Sequence, residues 1–309
     1  MRRYASLLRE EIGLLPRAGQ GVDTVFLGGG TPSLMPPGEI ASILESLKER
    51  YAVDRGAEIT IECNPGTLTE EKLQEYLSAG CNRISLGVQS THDRLLQEIG
   101  RIHTAKQAVQ AVEQARRAGF ENINVDLMYG LPGQSVEEHL RSIEAMAALS
   151  PQHMSVYSLI VEEGTPLWGD VKEKRAVLPS EEEEYRMHRE GIELLQSLGY
   201  GRYEISNFAR HGFECRHNLR YWLSGDYLAA GLGASSALWE EGRRIRRTNL
   251  AEFAGYEQAV LSGRLPIGET VADSEGEARF EFVMMALRLC DGFSQADFQE
   301  RFGLDLRSA

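Results

Sequence analysis

The sequence is short of several features that would place it in large functional classes. It has four cysteines, Cys63, Cys81, Cys215 and Cys290, and no two are close enough to form a CxxC or CxxxCxxC unit. That spacing is no secreted disulfide framework, and each thiol reads as a small buried apolar residue or an isolated group rather than a ligand. The residues present predict no metal site. No stretch approaches the ~20 apolar residues needed to cross a bilayer. After Met1-Arg2-Arg3, the run from Leu7 to Ile12 is broken by Arg9, Glu10 and Glu11, so no signal-peptide core follows. Positive charge is in deficit, with 33 Lys and Arg against 46 Asp and Glu, a net charge of −13. This excludes a general binder of nucleic acid or of anionic membranes. Together these absences predict a cytoplasmic chain with no nucleic-acid partner and no integral membrane segment, peripheral membrane contact being left open. There is no internal repeat and no low-complexity linker.

What is present describes a folded α/β protein. The 309 residues exceed one small core and suit a barrel-like domain with an appendage. One cluster, Arg243-Arg244-Ile245-Arg246-Arg247, opposes the acidic balance. It reads either as a solvated loop or hairpin, or as a local site for a carboxylate-bearing ligand.

Strand candidates are Asp23–Leu27, Glu58–Glu62, Arg83–Val88, Asn122–Met128 and His153–Ile160. Each is short and rich in Ile, Val, Leu or Tyr, a pattern that suits strands buried on both faces. Amphipathic helices alternate with them, as in the stripe Ile40, Ile43, Leu44 and Leu47. Ser135 with Glu138 three residues later signals a helix start, and Gly80 and Gly119 signal helix stops. Repeated βα units demand a parallel sheet with right-handed crossovers, closed or partly closed. The pattern changes after Glu162. Ser180 with Glu183 opens a helix to Leu198 whose first turn, Glu181–Glu184, is a solvated acidic start and not a metal site. Gly201–Phe208 and Tyr227–Ala237 read as strand or loop, and Ala251–Leu261 as helix. Ser274 with Glu277 starts a helix through Leu289, and Phe293–Phe302 reads as one more.

The most informative motif is Gly28-Gly29-Gly30-Thr31-Pro32-Ser33, directly after a strand. Ligands of parallel α/β folds bind at the C-terminal ends of strands, and glycines there let the backbone approach them closely. By itself the motif is equally a tight βα turn. A phosphate loop is disfavoured because no GK[ST] follows. The other strand ends repeat the theme, with Glu62 in Ile61-Glu62-Cys63-Asn64-Pro65, Gln89 in Gly87-Val88-Gln89-Ser90, and Asp126 in Asn124-Val125-Asp126-Leu127. Any one of these is as readily a turn or cap residue as a ligand contact. Their recurrence at successive strand ends points to a small-molecule site.

In this order, GGGTPS, IECNPG, GVQS followed by Gly100-Arg101-Ile102-His103, and NVDLMYGLPGQ resemble the radical S-adenosylmethionine (SAM) proteins around oxygen-independent coproporphyrinogen III oxidase. The resemblance runs from about Tyr4 to the last residue. It implies an α/β fold: a partial (β/α) barrel of the radical SAM type lacking its first strand, with a C-terminal α+β and helical appendage. The implied segments are 1–165 for the incomplete barrel core, 166–270 for barrel completion, and 271–309 for the start of a helical domain. It further implies that Gly29, Gly30 and Thr31 bind the amino end of SAM's methionine, and that Glu62, Gln89, Arg101 and Asp126 surround SAM. Carboxylates suit its ammonium and ribose diol, and Arg101 suits its carboxylate as a bidentate donor.

Downstream, His217-Asn218-Leu219-Arg220-Tyr221-Trp222 fits the HNxxYW pattern of this family's heme chaperone branch, HemW. It implies heme binding, with His217 on the iron and Tyr221 or Trp222 stacked on the macrocycle. Read without the family, His217 and Asn218 are polar turn residues and the two aromatics are core. The segment from Gly231 to Ser236 resembles the family's GxGAHS, with Ser235 where histidine is usual. The implied function is a heme chaperone that binds SAM and heme and passes heme to acceptor apoproteins. The alternative is an oxygen-independent coproporphyrinogen III dehydrogenase, making protoporphyrinogen IX by radical oxidative decarboxylation. Family members hold a [4Fe–4S] cluster on a CxxxCxxC motif placed just ahead of a segment resembling Tyr4–Ile12. This sequence lacks the motif, so the cluster is a family expectation without ligands here, and no reductive SAM cleavage is expected of the chain. Two explanations stand: a fragment or misplaced start, or a protein that kept binding and lost radical chemistry. The end at Ala309 is likewise expected to interrupt a small helical domain. No catalytic residue is assigned.

Overall fold

The structure is a computed structural model that describes residues 1–17, 21–240 and 242–308. Ala309, part of the expected C-terminal segment, lies outside them. Through the first half, strands and helices alternate: α1 (Arg2–Leu14), β1 (Val22–Leu27), α2 (Glu39–Arg50), β2 (Val53–Cys63), α3 (Glu70–Ala79), β3 (Arg83–Gln89), α4 (Asp93–Glu98), α5 (Ala105–Ala118), β4 (Asn122–Tyr129), α6 (Val136–Ala148) and β5 (His153–Ser158). Then follow α7 (Pro166–Lys172), α8 (Glu181–Ser197), β6 (Gly201–Arg202), β7 (Asn207–Ala209), α9 (Arg216–Trp222), β8 (Ser235–Glu240), β9 (Arg243–Asn249), α10 (Phe253–Leu261), β10 (Ile267–Ala272), α11 (Glu275–Ala286) and α12 (Gln295–Phe302).

Local chemistry sets the ends of these elements. Ser135 and Glu138 form a reciprocal capping box on α6, as do Ser180 with Glu183 on α8 and Ser274 with Glu277 on α11. Thr104 with Gln107 and Ser294 with Asp297 add two more. Gly80 and Gly119 close α3 and α5 in the left-handed conformation, at φ +104° and +117°, where a Cβ would be strained.

Strands join in the order β1-β2-β3-β4-β5-β7-β6, and β8, β9 and β10 form a separate antiparallel sheet. The strands from β2 to β5 pair in parallel, as the βα repeat requires, and β7 then runs antiparallel to β5. The chain folds as two compact units interleaved along the sequence. One takes Phe26–Leu34 and Glu58–Glu214, the other Met1–Val25, Met35–Ala57 and Cys215–Ala309.

In the first unit, β3 and β4 are buried on both faces, as their composition predicts, but the two faces differ in chemistry. Ile84, Leu86 and Val88 of β3, with Ile123, Val125 and Leu127 of β4, form the apolar side, which helices α5, α6 and α8 cover. The opposite side is polar, and ladder pairing aligns it in rungs. Thr60, Arg83 and Asn122 form one rung, Glu62, Ser85, Asn124 and His153 the next, and Asp126, Ser155 and Asn207 the third. A strand's side chains alternate between faces, so the spacing Arg-x-Ser-x-Gly-x-Gln and Asn-x-Asn-x-Asp delivers this row directly.

The second unit is tied by a buried carboxylate. Glu11 of α1 is 0% exposed and accepts from the Gly231 N–H at 2.8 Å, the Asn249 Nδ2 at 2.6 Å and the Tyr256 hydroxyl at 2.6 Å. One side chain thus joins α1, the loop before β8, β9 and α10. The Arg243–Arg247 cluster is strand β9 of a hairpin. Three of its four arginines are paired within the chain, Arg244 with Asp226, Arg246 with Asp273 and Glu281, and Arg247 with Glu240, and Arg243 is exposed. The hairpin reading holds, and a ligand's carboxylates would have to compete with these internal partners at three of the four guanidinium groups.

Burial raises the Glu11 carboxyl above its unfolded value, so its stabilisation is fullest at acid pH and declines as pH rises through the raised value. Glu11→Ala strands three buried donors and is expected to cost about 2–4 kcal/mol in urea unfolding. The wild-type advantage over Glu11→Ala should be larger at low pH than at high pH, and the reverse slope would contradict a buried carboxyl.

Candidate functional site

The glycine loop after β1 is exposed and open. Gly29 and Gly30 have φ of +78° and +90°, and a Cβ at either would meet nothing within 4 Å. Gly28 is different. A Cβ there would lie 2.5 Å from the Phe26 ring and 3.0 Å from Glu62 Oε2. Glu62, on β2 one residue before its end, accepts from the Gly29 N–H at 3.2 Å, so the strand-end carboxylate and the loop backbone are already in contact. Burial pushes its carboxyl up to about 6, Asp126 pushes the same way, and the Gly29 N–H and Arg83 oppose them. Behind the loop, Ser33 is buried, bonds the Thr67 hydroxyl at 2.6 Å and accepts from the Asn64 N–H at 3.2 Å. The first two strand-end turns are thereby locked together.

Gln89 ends β3 at φ +67°, a conformation that side chains rarely adopt, where the β3–β4 register is interrupted. It is 3% exposed, and its Oε1 accepts from the Tyr157 hydroxyl at 3.1 Å. A strained, buried amide held by a tyrosine is a common sign of functional geometry. Asp126 of β4 accepts from Asn124 Nδ2 at 2.7 Å and from the Ser85 hydroxyl at 3.2 Å. Burial raises its carboxyl, against Asn124, Ser155, Arg83 and Ser85. Tyr157 is the hub. Burial and then Asp126 raise its hydroxyl pKa, Gln89 and Arg101 oppose them, and Glu62 adds to the rise. Gln89 thus contacts Tyr157 directly, while Asp126, Arg101 and Glu62 act on it through their charges.

Arg101 follows α4, and the loop carrying it is pinned by His103, whose Nε2 donates to the Val88 carbonyl at 3.1 Å. Burial lowers the His103 pKa, which suits a neutral anchor. Tyr157 escaped the sequence reading because its strand end is flanked by Ser158 and Leu159 with no family motif. The alternation His153, Ser155, Tyr157 on β5 was the signal available.

The HNxxYW segment is helix α9 of the other unit. His217 uses both ring nitrogens: Nδ1 meets the Thr24 hydroxyl at 2.9 Å and Nε2 the Tyr221 hydroxyl at 2.9 Å. The Tyr221 ring stands edge-on to Tyr227 at 4.6 Å, and burial pushes its hydroxyl up to about 12. Arg220 pairs with Asp23. Trp222 lies beneath the Arg288 guanidinium at 4.5 Å, and its buried Nε1 has no hydrogen-bond partner. His217 and Tyr221 are thus brought into direct contact. Ser235, standing where the family motif has histidine, bonds Thr248 at 2.9 Å.

Comparison with known proteins decides the family. Residues 3–146 match the radical SAM superfamily and residues 273–309 the HemN C-terminal domain. The heme chaperone HemW of Escherichia coli is 38% identical over 288 residues, 93% of this chain and 74% of that protein. The chain belongs to the HemW family of radical SAM proteins. HemW of Bacillus subtilis is 35% identical over 98% of this chain and 80% of its own length. The fold agrees with that of the E. coli coproporphyrinogen III oxidase HemN, a radical SAM enzyme, at a TM-score of 0.83 and 24% identity, covering 98% of this chain and 72% of that one. The HemW family implies SAM and a [4Fe–4S] cluster. The thiols present do not fit a cluster: Cys63, Cys81 and Cys215 are buried, Cys290 is exposed, and no three His, Cys, Asp or Glu side chains converge among the described residues. The glycine loop, with its open backbone beside Glu62, does fit a small ligand with donor groups.

Gly28→Ala is expected to cost about 1–3 kcal/mol in thermal or urea unfolding, because the Phe26 ring or Glu62 must move. Gly29→Ala and Gly30→Ala meet space but a left-handed backbone, and are expected to cost about 1–2 kcal/mol each. Equal stability of Gly28→Ala and wild type would contradict the close packing.

Proposed function

We propose that this chain is a HemW-type heme chaperone that binds SAM at the strand ends of its parallel sheet, binds heme through the α9 segment, and delivers heme to acceptor apoproteins. The observation that carries the SAM reading is the Glu62 carboxylate, fixed on the Gly29 N–H beside an open glycine loop, on the same polar sheet face as Asp126. In this reading Gly29, Gly30 and Thr31 border the methionine end, Glu62 and Asp126 accept from the ammonium and ribose hydroxyls, and Arg101 takes the carboxylate. SAM, where bound, supplies an electrophilic sulfonium beside its adenosyl group. The chain's own residues bind and orient it, and no step is routed through a cluster whose ligands the chain does not present.

The heme reading is supported by the curated relatives named HemW and by the HNLRYW helix. For His217 to reach iron, Nε2 must give up its bond to Tyr221 or Nδ1 its bond to Thr24, so ligation costs a hydrogen bond that the chain already makes. The likeness to coproporphyrinogen III oxidase is one of fold, and no residue here favours that activity over carriage. Among the described residues, no helix is long and apolar enough to cross a membrane.

Two titrations test these readings. By calorimetry, SAM binding should weaken at least about tenfold in Glu62→Gln. In wild type it should also weaken as pH falls through about 6, where Glu62 gains its proton. SAM affinity unchanged in Glu62→Gln would remove this site. In a heme titration followed at the Soret band, His217→Ala should lose saturable binding, and Tyr221→Phe, which frees Nε2, should bind about as tightly or tighter. Unchanged binding in His217→Ala would place heme elsewhere.

A further inference from the structure

One charge on the polar sheet face has no role yet. Arg83, the first residue of β3, is 2% exposed, its Nε has no hydrogen-bond partner, and it forms no ion pair among the described residues. Its ladder partners are Thr60 on β2 and Asn122 on β4, and Thr60 Oγ1 and Asn122 Oδ1 are likewise buried without partners. A guanidinium removed from water is retained only where opposite charge offsets the lost hydration. That charge lies on the same face toward the strand ends, Glu62 one rung up and Asp126 two rungs up.

We propose that Arg83 is a positioning residue of the SAM site, the fixed counter-charge that lets Glu62 and Asp126, on β2 and β4 of one sheet face, both stand as carboxylates while pairing directly with neither. The proposal rests on the reading that these two residues hold SAM. Two acids in one low-dielectric site resist joint ionisation, and a guanidinium never loses its proton near neutral pH, so its charge is constant. Arg83 acts in this sense on both acids, and it also helps hold His153 neutral. Neutral His153 then donates from Nδ1 to Asn124 at 2.5 Å and accepts from the Tyr203 hydroxyl at 2.8 Å, completing the polar rung. The other titratable groups facing the two acids are Glu58 on β2, Tyr157 on β5, and Arg101. Arg101 does not substitute for Arg83, because in this reading it is committed to the ligand's own carboxylate.

The test uses the full chain labelled with carboxyl 13C in Glu and Asp, with Glu62 assigned through Glu62→Gln. NMR follows the titration between about pH 4 and 9. In Arg83→Met the Glu62 midpoint should rise by about one unit. SAM affinity near neutral pH should fall several-fold and recover at alkaline pH. Arg83→Lys should behave like wild type in both respects. A Glu62 midpoint unmoved by Arg83→Met overturns the proposal. A lysine variant that titrates like the methionine variant also overturns it, since shape and not charge would then be at work. Should Arg83→Met fail to fold, Arg83→Gln is judged by the same criteria. The carboxyl titration needs no ligand, so a wild-type chain that fails to bind SAM defeats the SAM reading while the effect of Arg83 on Glu62 is still measured.

Discussion

A buried polar ladder on one face of a parallel sheet is the feature on which the candidate site depends. Water is excluded from Ser85, Asn124 and His153, so each must find its partners inside the protein or lose about 1–3 kcal/mol. They do so in sequence. Asn124 donates to Asp126 and Ser85 and accepts from His153, and His153 accepts from Tyr203. Such a network permits little freedom of register. A one-residue slip of β4 would send Asn124 and Asp126 to the apolar side and Val125 into the polar one. Asp126 is held in place because the rung beneath it is hydrogen-bonded, and Glu62 is held by the Gly29 N–H.

The same face explains why the site's charges are finely balanced. Glu62 and Asp126 are both pushed toward their neutral forms by burial, and each is restrained by donors or by positive charge. A carboxyl poised near 6 is a better sensor of a bound cation or diol than one fixed at its solution value, since small changes in its surroundings alter its charge. The glycine loop complements this, contributing backbone N–H groups and no bulk. Gly28 is excluded from side-chain bearing by packing, whereas Gly29 and Gly30 are excluded by backbone conformation.

The α9 segment follows another logic. Its histidine is held between Thr24 and Tyr221, so the motif is built into the hydrogen bonding of its own unit before any ligand arrives. In the proposed heme reading, binding of a macrocycle there would exchange existing bonds for new ones, which suits a carrier that releases what it holds. Glu11 gives the same unit its rigidity by joining four segments through one carboxylate.

Much of this was legible from residue order. Capping boxes, closing glycines and βα spacing depend on neighbours within a few positions, so helix ends and the parallel core could be read directly. Strand-end motifs likewise marked Glu62, Gln89 and Asp126 as a set, and the family resemblance added Arg101 and the α9 residues. The rest depended on pairing between distant segments. Only register brings Arg83 beneath Glu62, makes Tyr157 the partner of Gln89, and pairs the basic run of β9 with Asp226, Asp273 and Glu281. The composition of the strands announced burial on both faces. Which face was polar, and whether His217 Nδ1 was free, were decided by the tertiary structure, because partners distant in the chain, Asn124 for His153 and Thr24 for His217, satisfy those groups.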